Sequence, residues 1–297
     1  MPRSTESVQT FAVVRAGVRL DKFLADASGC GRRTARSLIR EGRVLLDGRS
    51  VAPSTTLVAG QSVEIVAGHC DAPIERPMEL AIIQEASDFI AVAKPAGMHS
   101  VAGNSENSAA AALGSLYPET RTASREPIDG GLVHRLDRDT SGVLLAARNP
   151  SAWRRLRCAF SEHRVRKHYL ALVGGEVRET VTIDQPLARR NARVGRPHRG
   201  EKSFEAQTSF YPLETAKHWS LVLVSMRTGV THQIRAHAAL AGFAILGDMK
   251  YGSLAAPVAS RDGQLLHALR LEIAGELDVA APVDADFKAA LAALRGD

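Results

Sequence analysis

The sequence predicts an α+β protein with two domains: a small helix-and-strand domain, then a larger domain built on a mixed, largely antiparallel sheet flanked by helices and loops. Its 297 residues exceed one average domain and fall short of three. Residues 67–78 lack hydrophobic periodicity and contain two prolines, which is typical of a linker. In residues 79–297, strand-like runs outnumber helical runs and do not alternate with them strictly, which disfavours a Rossmann or barrel fold.

The first domain is predicted over residues 15–66, after a tail of residues 1–14. Apolar residues recur at helical spacing in VRLDKFLADA and again in GRRTARSLIREGRV, which predicts two helices. An Asp-Gly pair then favours a type I′ hairpin turn at residues 47–48, and QSVEIVA alternates as a closing strand. The domain is therefore expected to contain two helices followed by short strands.

Basic residues are concentrated in two parts of the chain. Arg33, Arg36 and Arg40 are three and four residues apart and so share one side of the second helix. The net charge is +6, and residues 151–205 carry thirteen Lys and Arg against six Asp and Glu. Basic clusters attract polyanions, most often nucleic acid, although a solvated charged face has the same composition. Aromatic residues make up only 5%, which argues against a broad base-stacking platform.

Composition also disfavours several protein classes. No apolar run approaches the roughly 18 residues of a membrane helix, and the N-terminal residues lack the apolar segment of a signal peptide. The cysteines at positions 30, 70 and 158 are too scattered for a disulfide framework or a paired zinc site. We therefore expect a cytoplasmic protein with reduced thiols, no membrane association and no metal.

The densest group of reactive side chains lies in residues 130–149, GGLVHRLDRDTSGVLLAARN, where charged residues precede an apolar strand. Side chains at the mouth of a core strand commonly form functional sites. Asp137 and Asp139 are compatible with an acid–base pair, a metal pair, or one nucleophile with a neighbour. The flanking cations Arg135 and Arg138 disfavour a metal, and Asp139 is better explained as a turn residue.

A second segment contains candidate polar residues on a predicted helix. His232 and His237 are five residues apart, which is the wrong spacing for a zinc protease. Arg235 opens an otherwise apolar helix and therefore needs a carboxylate partner. The alternative to a functional role is a purely structural ion pair between Arg235 and either Asp248 or Asp139.

Three other segments complete the sequence-based interpretation. Tyr169 opens an otherwise apolar strand, and an isolated tyrosine there is more typical of core packing with a tethered hydroxyl. Residues 90–101 predict a strand followed by a Pro-Gly turn. Residues 188–203 are polar and rich in arginine, and they are predicted to form a mobile basic loop.

Residues 134–142 read HRLDRDTSG and resemble the signature of the RluA family of pseudouridine synthases. Four other segments resemble motifs of the same family in the family's order: AKPAGMHSV, RKHYLALVGG, TGVTHQIRAHAALAGFAILGDMKYG and LLHALRLEI. The five motifs belong to residues 79–297 and are far more specific together than any one alone. Independently, VRLDKFLA and ARSLIREGRVLLDG resemble the RNA-binding domain of the ribosomal S-four type.

The resemblance implies an enzyme that converts uridine within RNA to pseudouridine with no cofactor and no metal. It implies that Asp137 is the essential catalytic carboxylate, that Arg235 pairs with it, and that Tyr169 packs on the uracil. Arg135 is implied to fill the space left when the target nucleotide leaves its stack. Large-subunit ribosomal RNA is the expected substrate, transfer RNA the alternative, and a monomer the expected state.

The arginines at positions 33, 36 and 40 and the basic loop are expected to contact RNA phosphates. The sequence departs from the family at Val230, which stands where the family has an arginine and removes a cation expected near the active cleft. Two rival functions stay open. One is a catalytically idle RNA-binding protein, and the other is a nucleoside hydrolase or glycosidase that uses Asp137 and Asp139 as a carboxylate pair.

Overall fold

The computed structural model describes residues 8–14, 16–28, 35–36, 38–39, 42–66, 80–101, 108–190, 193–252 and 263–296. The chain divides into two compact units, Met1–Arg76 and Pro77–Asp297. The boundary between them falls inside residues 67–78. No helix in the described part of the chain is long and apolar enough to cross a membrane.

The first unit contains a four-stranded antiparallel sheet and a helix. Its elements are β1 (Val8–Ala12), α1 (Leu20–Ser28), β2 (Val44–Leu46), β3 (Arg49–Ser50) and β4 (Ser62–Val66). The strand order is β1-β4-β2-β3. Leu20 and Leu24 of α1 are buried in one apolar cluster with Val63. Asp47 and Gly48 have positive φ angles of 48° and 75°, as a type I′ turn requires, so the predicted hairpin is confirmed.

Strand β1 corrects the prediction that residues 1–14 form a tail. Its five residues pair antiparallel with residues 62–66, along the whole length of β4. A five-residue strand with no preceding turn signal is too short for its periodicity to be recognised. In the sheet, β2 pairs with one edge of β4 and β1 pairs with the other. β1 therefore supplies hydrogen-bond partners for backbone groups that β4 would otherwise leave unpaired.

Before Gly42, where the segment turns toward β2, the structure describes four residues of the second predicted helix: Ala35, Arg36, Leu38 and Ile39. All four are helical, and the first and last of them are buried, as the predicted apolar stripe requires. Arg33 and Arg40 lie outside the described residues. Arg36 Nε donates a hydrogen bond of 2.6 Å to Oδ2 of the buried Asp21, so Arg36 has a structural partner that the sequence did not predict.

The second unit is built on a large mixed sheet. Its strands are β5 (Ala81–Glu85), β6 (Phe89–Lys94), β7 (Ser141–Ala147), β8 (Arg166–Gly174), β9 (Val181–Asp184), β10 (Leu187–Arg190), β11 (Arg193–Gly195), β12 (Ser203–Phe204), β13 (Gln207–Thr215), β14 (Trp219–Met226), β15 (Leu266–Ile273) and β16 (Leu277–Ala280). Its helices are α2 (Ala109–Leu116), α3 (Thr120–Ala123), α4 (Pro150–Ser161), α5 (Gln233–Leu240) and α6 (Ala285–Arg295). The nine-stranded sheet has the order β5-β6-β7-β15-β8-β14-β13-β9, with β16 paired to β15. Among the described strands only β7 and β15 pair in parallel, so the predicted mixed, largely antiparallel sheet is confirmed.

Strand β7 is buried on every one of its seven residues. A strand covered on both faces has a continuous apolar sequence, and SGVLLAA has that form. Leu144 belongs to the core on one face of the sheet, while Leu145 packs in the cluster that contains Leu156 of α4. Gly142 has φ 112°, and a Cβ there would lie 2.1 Å from the carbonyl oxygen of Ala268 in β15. Glycine therefore permits the close approach of β7 and β15.

The prediction of a mobile basic loop at residues 188–203 is wrong. Residues 188–190, 193–195 and 203 belong to a three-stranded antiparallel sheet in the order β11-β10-β12, hereafter the small sheet, and residues 196–202 connect β11 to β12. Leu187 and Val194 are buried in one cluster with Ala236 of α5. Few apolar residues stand among the arginines of this segment, so the sequence does not show the alternation typical of a strand. The strands are stabilised by packing against α5.

Candidate active site

Asp137 lies in a tight turn that leads directly into β7. The backbone amide of Thr140 donates to the carbonyl oxygen of Asp137 (3.1 Å) and closes the turn. Leu136 is held by Ser100, whose hydroxyl donates to the Leu136 carbonyl (2.8 Å) and accepts from its amide (3.0 Å). His134 Nε2 accepts a hydrogen bond from the backbone of β7 (3.0 Å), and removal from water lowers the pKa of His134 to about 3. The neutral imidazole therefore ties this segment to the central strand.

A buried lysine joins this turn to the Pro-Gly turn that follows β6. Lys94 is 1% exposed, and its ammonium donates to the carbonyl oxygens of Pro95, Met98 and Arg138 at 2.9, 2.8 and 2.9 Å. Three carbonyl acceptors match the three N–H donors of an ammonium, which compensates for its loss of water. The backbone that carries Asp137 is thus supported by residues about 40 positions earlier.

Arg235 connects two carboxylates. From the first turn of α5 its Nη1 donates to Asp137 Oδ2 (2.7 Å), while Nε and Nη2 donate to the two oxygens of Asp248 (2.6 and 2.8 Å). Both Arg235 and Asp248 are buried. Burial opposes the charge of Arg235, but its hydrogen bonds with Asp248 and Asp137 outweigh that effect and raise its pKa. The guanidinium therefore stays charged and holds one oxygen of Asp137.

The predicted structural ion pair between Arg235 and Asp248 is present. It does not replace a contact with the turn, because Arg235 also binds Asp137. Asp139 is not a partner of Arg235; it lies 3.8 Å from Arg138 Nε, in the turn itself. Within the described ranges, no group of three or more His, Cys, Asp or Glu side chains is arranged to hold a metal ion. The two aspartates of the turn therefore have different surroundings, and only Asp137 contacts the buried guanidinium.

A cavity of about 980 Å³ is lined by Asp137, Tyr169, Arg235 and Arg135. Tyr169 is buried in β8, and its burial, together with the nearby charge of Asp137, raises the pKa of its hydroxyl. No described residue forms a hydrogen bond with that hydroxyl. Arg135 is exposed and forms no ion pair with a residue that the structure describes. The structure thus brings these four predicted residues to one cavity.

The charge of the cavity wall is predominantly positive. Its Lys and Arg side chains are Arg135, Arg157, Lys167, Arg189 and Arg235, and its Asp and Glu side chains are Asp137 and Glu205. Because Asp137 is paired with Arg235, the remaining cations outnumber the remaining carboxylate. This balance favours an anionic ligand.

Lys167 is a site residue that the sequence analysis did not identify. It precedes Tyr169 by two residues on β8, and its Nζ donates to the carbonyl oxygen of Thr228 (2.6 Å). Burial lowers the pKa of this ammonium to about 8. The available signal was the spacing itself, because residues two apart on a strand face the same side.

His232 is a second residue that the sequence analysis missed, since it was considered only as a zinc ligand. Its backbone is left-handed (φ 56°), and its Nε2 lies 3.7 Å from Asp137 Oδ1. Its Nδ1 lies 3.0 Å from the hydroxyl of Tyr251. Left-handed backbone at a residue other than glycine is uncommon and has no reliable local signal in a sequence.

Val230 and Arg189 meet at one wall of the cavity. Val230 packs against the apolar residues of the small sheet. Arg189 of β10 donates a hydrogen bond of 2.6 Å from Nη2 to Oγ1 of the adjacent Thr231. A cation therefore stands beside Val230, although it comes from a different element than the resemblance implies.

Comparison with known proteins agrees with this architecture. The family model described as RNA pseudouridylate synthase matches residues 88–240, and the S4 domain model matches residues 18–63. A human protein, RNA pseudouridylate synthase domain containing 1, has a similar structure with a TM-score of 0.58 and 26% sequence identity, covering 71% of this chain and 87% of that one.

Curated relatives extend the similarity over most of the chain. An uncharacterised RNA pseudouridine synthase of Chloroflexus aurantiacus is 35% identical over 83% of this chain and 79% of its own length. Ribosomal large subunit pseudouridine synthase C of Haemophilus ducreyi is 32% identical over 98% of this chain and 97% of its own. Synthase D of Nitrosomonas europaea is 30% identical over 94% and 85%.

The chain therefore belongs to the RNA pseudouridylate synthase family and carries an S4 domain in its first unit. It is an RNA pseudouridine synthase, and RNA is its substrate. The predicted family and the predicted S-four-type domain are both confirmed.

Proposed function

We propose that the enzyme isomerises specific uridines of large-subunit ribosomal RNA and that Asp137 is its catalytic carboxylate. The observation that carries this proposal is the chain of contacts from Asp248 through Arg235 to Asp137, which ends at a cationic cavity shared with Tyr169. The names of two relatives, synthases C and D of the ribosomal large subunit, support the choice of RNA.

The proposed chemistry begins with nucleophilic attack by the Asp137 carboxylate on either the ribose anomeric carbon or the uracil ring. The N1–C1′ bond breaks, the uracil turns and a C5–C1′ bond forms. The bond between Asp137 and the substrate breaks again, which restores the carboxylate, and the proton on C5 is lost while N1 gains one. Substrate and product are isomers, so the reaction as written balances without a further reactant, and we propose that it needs no cofactor.

Tyr169 is proposed to pack against the uracil during this rotation. The phenol is neutral at neutral pH even at the ordinary pKa of tyrosine, about 10, which suits packing against an uncharged ring. Arg135, exposed at the same cavity, is proposed to occupy the space left by the extruded nucleotide, because unstacking a base costs a few kcal/mol. Arg157 and Arg189 line the same cavity, and we propose that they contact the flanking phosphates.

The first unit is proposed to contribute RNA affinity rather than chemistry. Replacing Arg33 and Arg40 with glutamine should weaken RNA binding and reduce the slope of log affinity against log salt by about two units, one for each lost phosphate contact. The rate at saturating RNA should stay the same. A large fall in that rate would mean that the first unit shapes the active site.

The test of the proposed function is a map of pseudouridine across all RNA of cells with and without the gene. We expect at least one site in large-subunit ribosomal RNA to disappear and to return with the wild-type gene, but not with Asp137→Asn. Loss of a transfer RNA site alone would refute the ribosomal substrate. Release of free uracil by the purified protein would instead support the glycosidase alternative. The cytoplasmic location and the monomeric state stay predictions.

A further inference from the structure

The two oxygens of Asp137 have different neighbours. Oδ2 accepts a hydrogen bond of 2.7 Å from Arg235, whereas Oδ1 lies 3.7 Å from Nε2 of His232. The second distance is too long for a hydrogen bond, but contacts in active sites often shorten only when substrate binds. Oδ1 is therefore the oxygen left available for reaction, and an imidazole nitrogen lies next to it.

His232 is held in place by Tyr251. The two rings meet edge to face with centroids 5.8 Å apart, and Tyr251 Oη lies 3.0 Å from Nδ1 of His232. The face of the Tyr251 ring lies under the guanidinium of Arg235, whose carbon is 5.3 Å from the ring centroid. The His232 backbone is left-handed, a conformation that costs free energy and persists only when its surroundings enforce it.

The hydrogen bonds of Tyr251 indicate which nitrogen of His232 carries the proton. The backbone amide of Val194 in β11 donates to Tyr251 Oη (2.9 Å), so the phenol acts as acceptor in that contact. Within the described residues, the acceptor within reach of the phenol's own proton is Nδ1 of His232. The imidazole then carries its single proton on Nε2, directed at Asp137.

The charges around His232 favour the neutral imidazole. Burial lowers its pKa most strongly; Asp137 and Asp248 oppose this, while Arg235 and Lys250 act in the same direction as burial. Burial also raises the pKa of the Tyr251 phenol, so it keeps the proton that it donates.

We propose that His232 is a positioning residue that directs an Nε2–H donor at Oδ1 of Asp137, and that Tyr251 sets its tautomer. The inference rests on the proposed catalytic role of Asp137. Because Val194 belongs to the small sheet, the same contacts link that sheet to the catalytic carboxylate. When this contact shortens on substrate binding, the Nε2–H donor orients Oδ1 while the carboxylate keeps its charge, which a nucleophile requires.

Three variants test the proposal by single-turnover and steady-state kinetics on an unmodified transcript of large-subunit ribosomal RNA. Tyr251→Phe removes one hydroxyl and keeps the ring; we expect kcat to fall about tenfold with KM unchanged. At position 232, glutamine can place an amide N–H near the Nε2 position, whereas asparagine tolerates left-handed backbone but reaches only the Nδ1 position. We therefore expect His232→Gln to retain about tenfold more activity than His232→Asn.

The pH dependence separates positioning from a general loss of packing. In Tyr251→Phe, Nδ1 loses the donor that favours neutral imidazole, so the pKa of His232 rises and the acid limb of kcat moves to higher pH. Protein labelled with ¹⁵N-histidine should report a single Nε2–H tautomer for His232, assigned by its absence from His232→Gln, and Tyr251→Phe should lose that preference.

A proton on Nδ1 of His232 in the wild-type protein would overturn the proposal. So would a Tyr251→Phe enzyme with unchanged kcat and unchanged acid limb, or His232→Asn matching His232→Gln. If the wild-type enzyme forms no pseudouridine in this transcript, the ribosomal substrate is refuted, while the labelled spectra still decide the tautomer.

Discussion

Two clusters of arginine and aspartate side chains, one in each unit, reverse which of the two residue types is buried. In the first unit the Asp21 carboxylate is fully buried, and the side chains of Arg19 and Arg36 are 46% and 44% exposed. In the second unit the side chain of Arg235 is 9% exposed and that of Asp137 is 24% exposed. A buried side chain is held rigidly and fixes the orientation of its more exposed partner. In the first unit a buried carboxylate orients two exposed arginines, whereas in the second a buried arginine orients a carboxylate at a cavity.

Asp248 accounts for much of this difference. It neutralises Arg235 through two hydrogen bonds, and a guanidinium prefers such a bidentate carboxylate. Counted as formal charges, Asp248, Arg235 and Asp137 together carry one net negative charge. Asp137 therefore keeps an anionic carboxylate at a cavity wall on which Lys and Arg outnumber Asp and Glu.

The largest expected effect is the loss of catalytic rate when the charge of Asp137 is removed. Asp137→Asn is nearly isosteric, so RNA should still bind, but the amide is a poor nucleophile and pseudouridine formation per enzyme should fall below detection in a single-turnover assay. Asp139→Asn is the matched control. It keeps a turn-competent side chain and should lose at most about tenfold, or about 1.4 kcal/mol. The reverse ranking would mean that the two aspartates have been assigned the wrong roles.

The next effect concerns the buried member of the active-site contact. Arg235→Ala leaves Asp248 buried without its cation, so the free energy of unfolding should fall by about 3–5 kcal/mol, and the rate should fall severely. Arg235→Lys keeps the charge but loses the planar fork, so both losses should be intermediate. Urea unfolding and single-turnover rates measure the two effects separately. An alanine variant of normal stability would contradict the buried pair described here.

Lys167 is a buried cation of a different kind from Arg235, because the acceptor of its hydrogen bond is the carbonyl oxygen of Thr228 and not a carboxylate. Its pKa of about 8 lies below the unfolded value of about 10.4. Between those pH values the unfolded chain binds more protons, so the free energy of unfolding should rise with pH, by up to about 3 kcal/mol. Lys167→Met should flatten this rise relative to the wild type in urea unfolding at pH 7.5, 9 and 10. Parallel curves for the two proteins would show that Lys167 stays charged.

The smallest effect is expected in the first unit. Asp21→Asn removes the charge that Arg19 and Arg36 contact, and the two exposed arginines can be solvated by water. The free energy of unfolding of this unit should fall by about 1–3 kcal/mol, with no change in the rate at saturating RNA. A comparable loss of catalytic rate would show that the contact in the first unit is more than structural.

The sequence predicted the central strands and the residues around Asp137 because both depend on local patterns. SGVLLAA is largely apolar sequence, and the HRLD segment, residues 134–137, precedes it with only the turn of residues 138–140 between them. The pairing of Arg235 with a carboxylate followed from its place in an apolar helix, but the simultaneous contact with two carboxylates did not. That arrangement depends on how α5 packs beside the turn that holds Asp137, which no single segment encodes.

The missed features depend on contacts between distant segments. The small sheet is stabilised by Ala236, about 40 residues beyond its buried strands. His232 acquires its role through Tyr251 and the backbone of Val194, and its left-handed φ follows from that environment. Strand β1 was missed for a simpler reason, since five residues contain too little periodicity.

Because of Lys94, we expect the enzyme's activity to depend on the register between β6 and β7. Its ammonium reaches the Arg138 carbonyl only when the end of β6 lies in register with the start of β7, where Lys94 is paired with Gly142. A slip of this pairing by one residue would turn the lysine to the opposite face and release the turn that carries Asp137. The enzymatic rate should therefore decline at a lower denaturant concentration than the circular dichroism signal of the strands. Turnover would then report the register of β6 and β7 specifically.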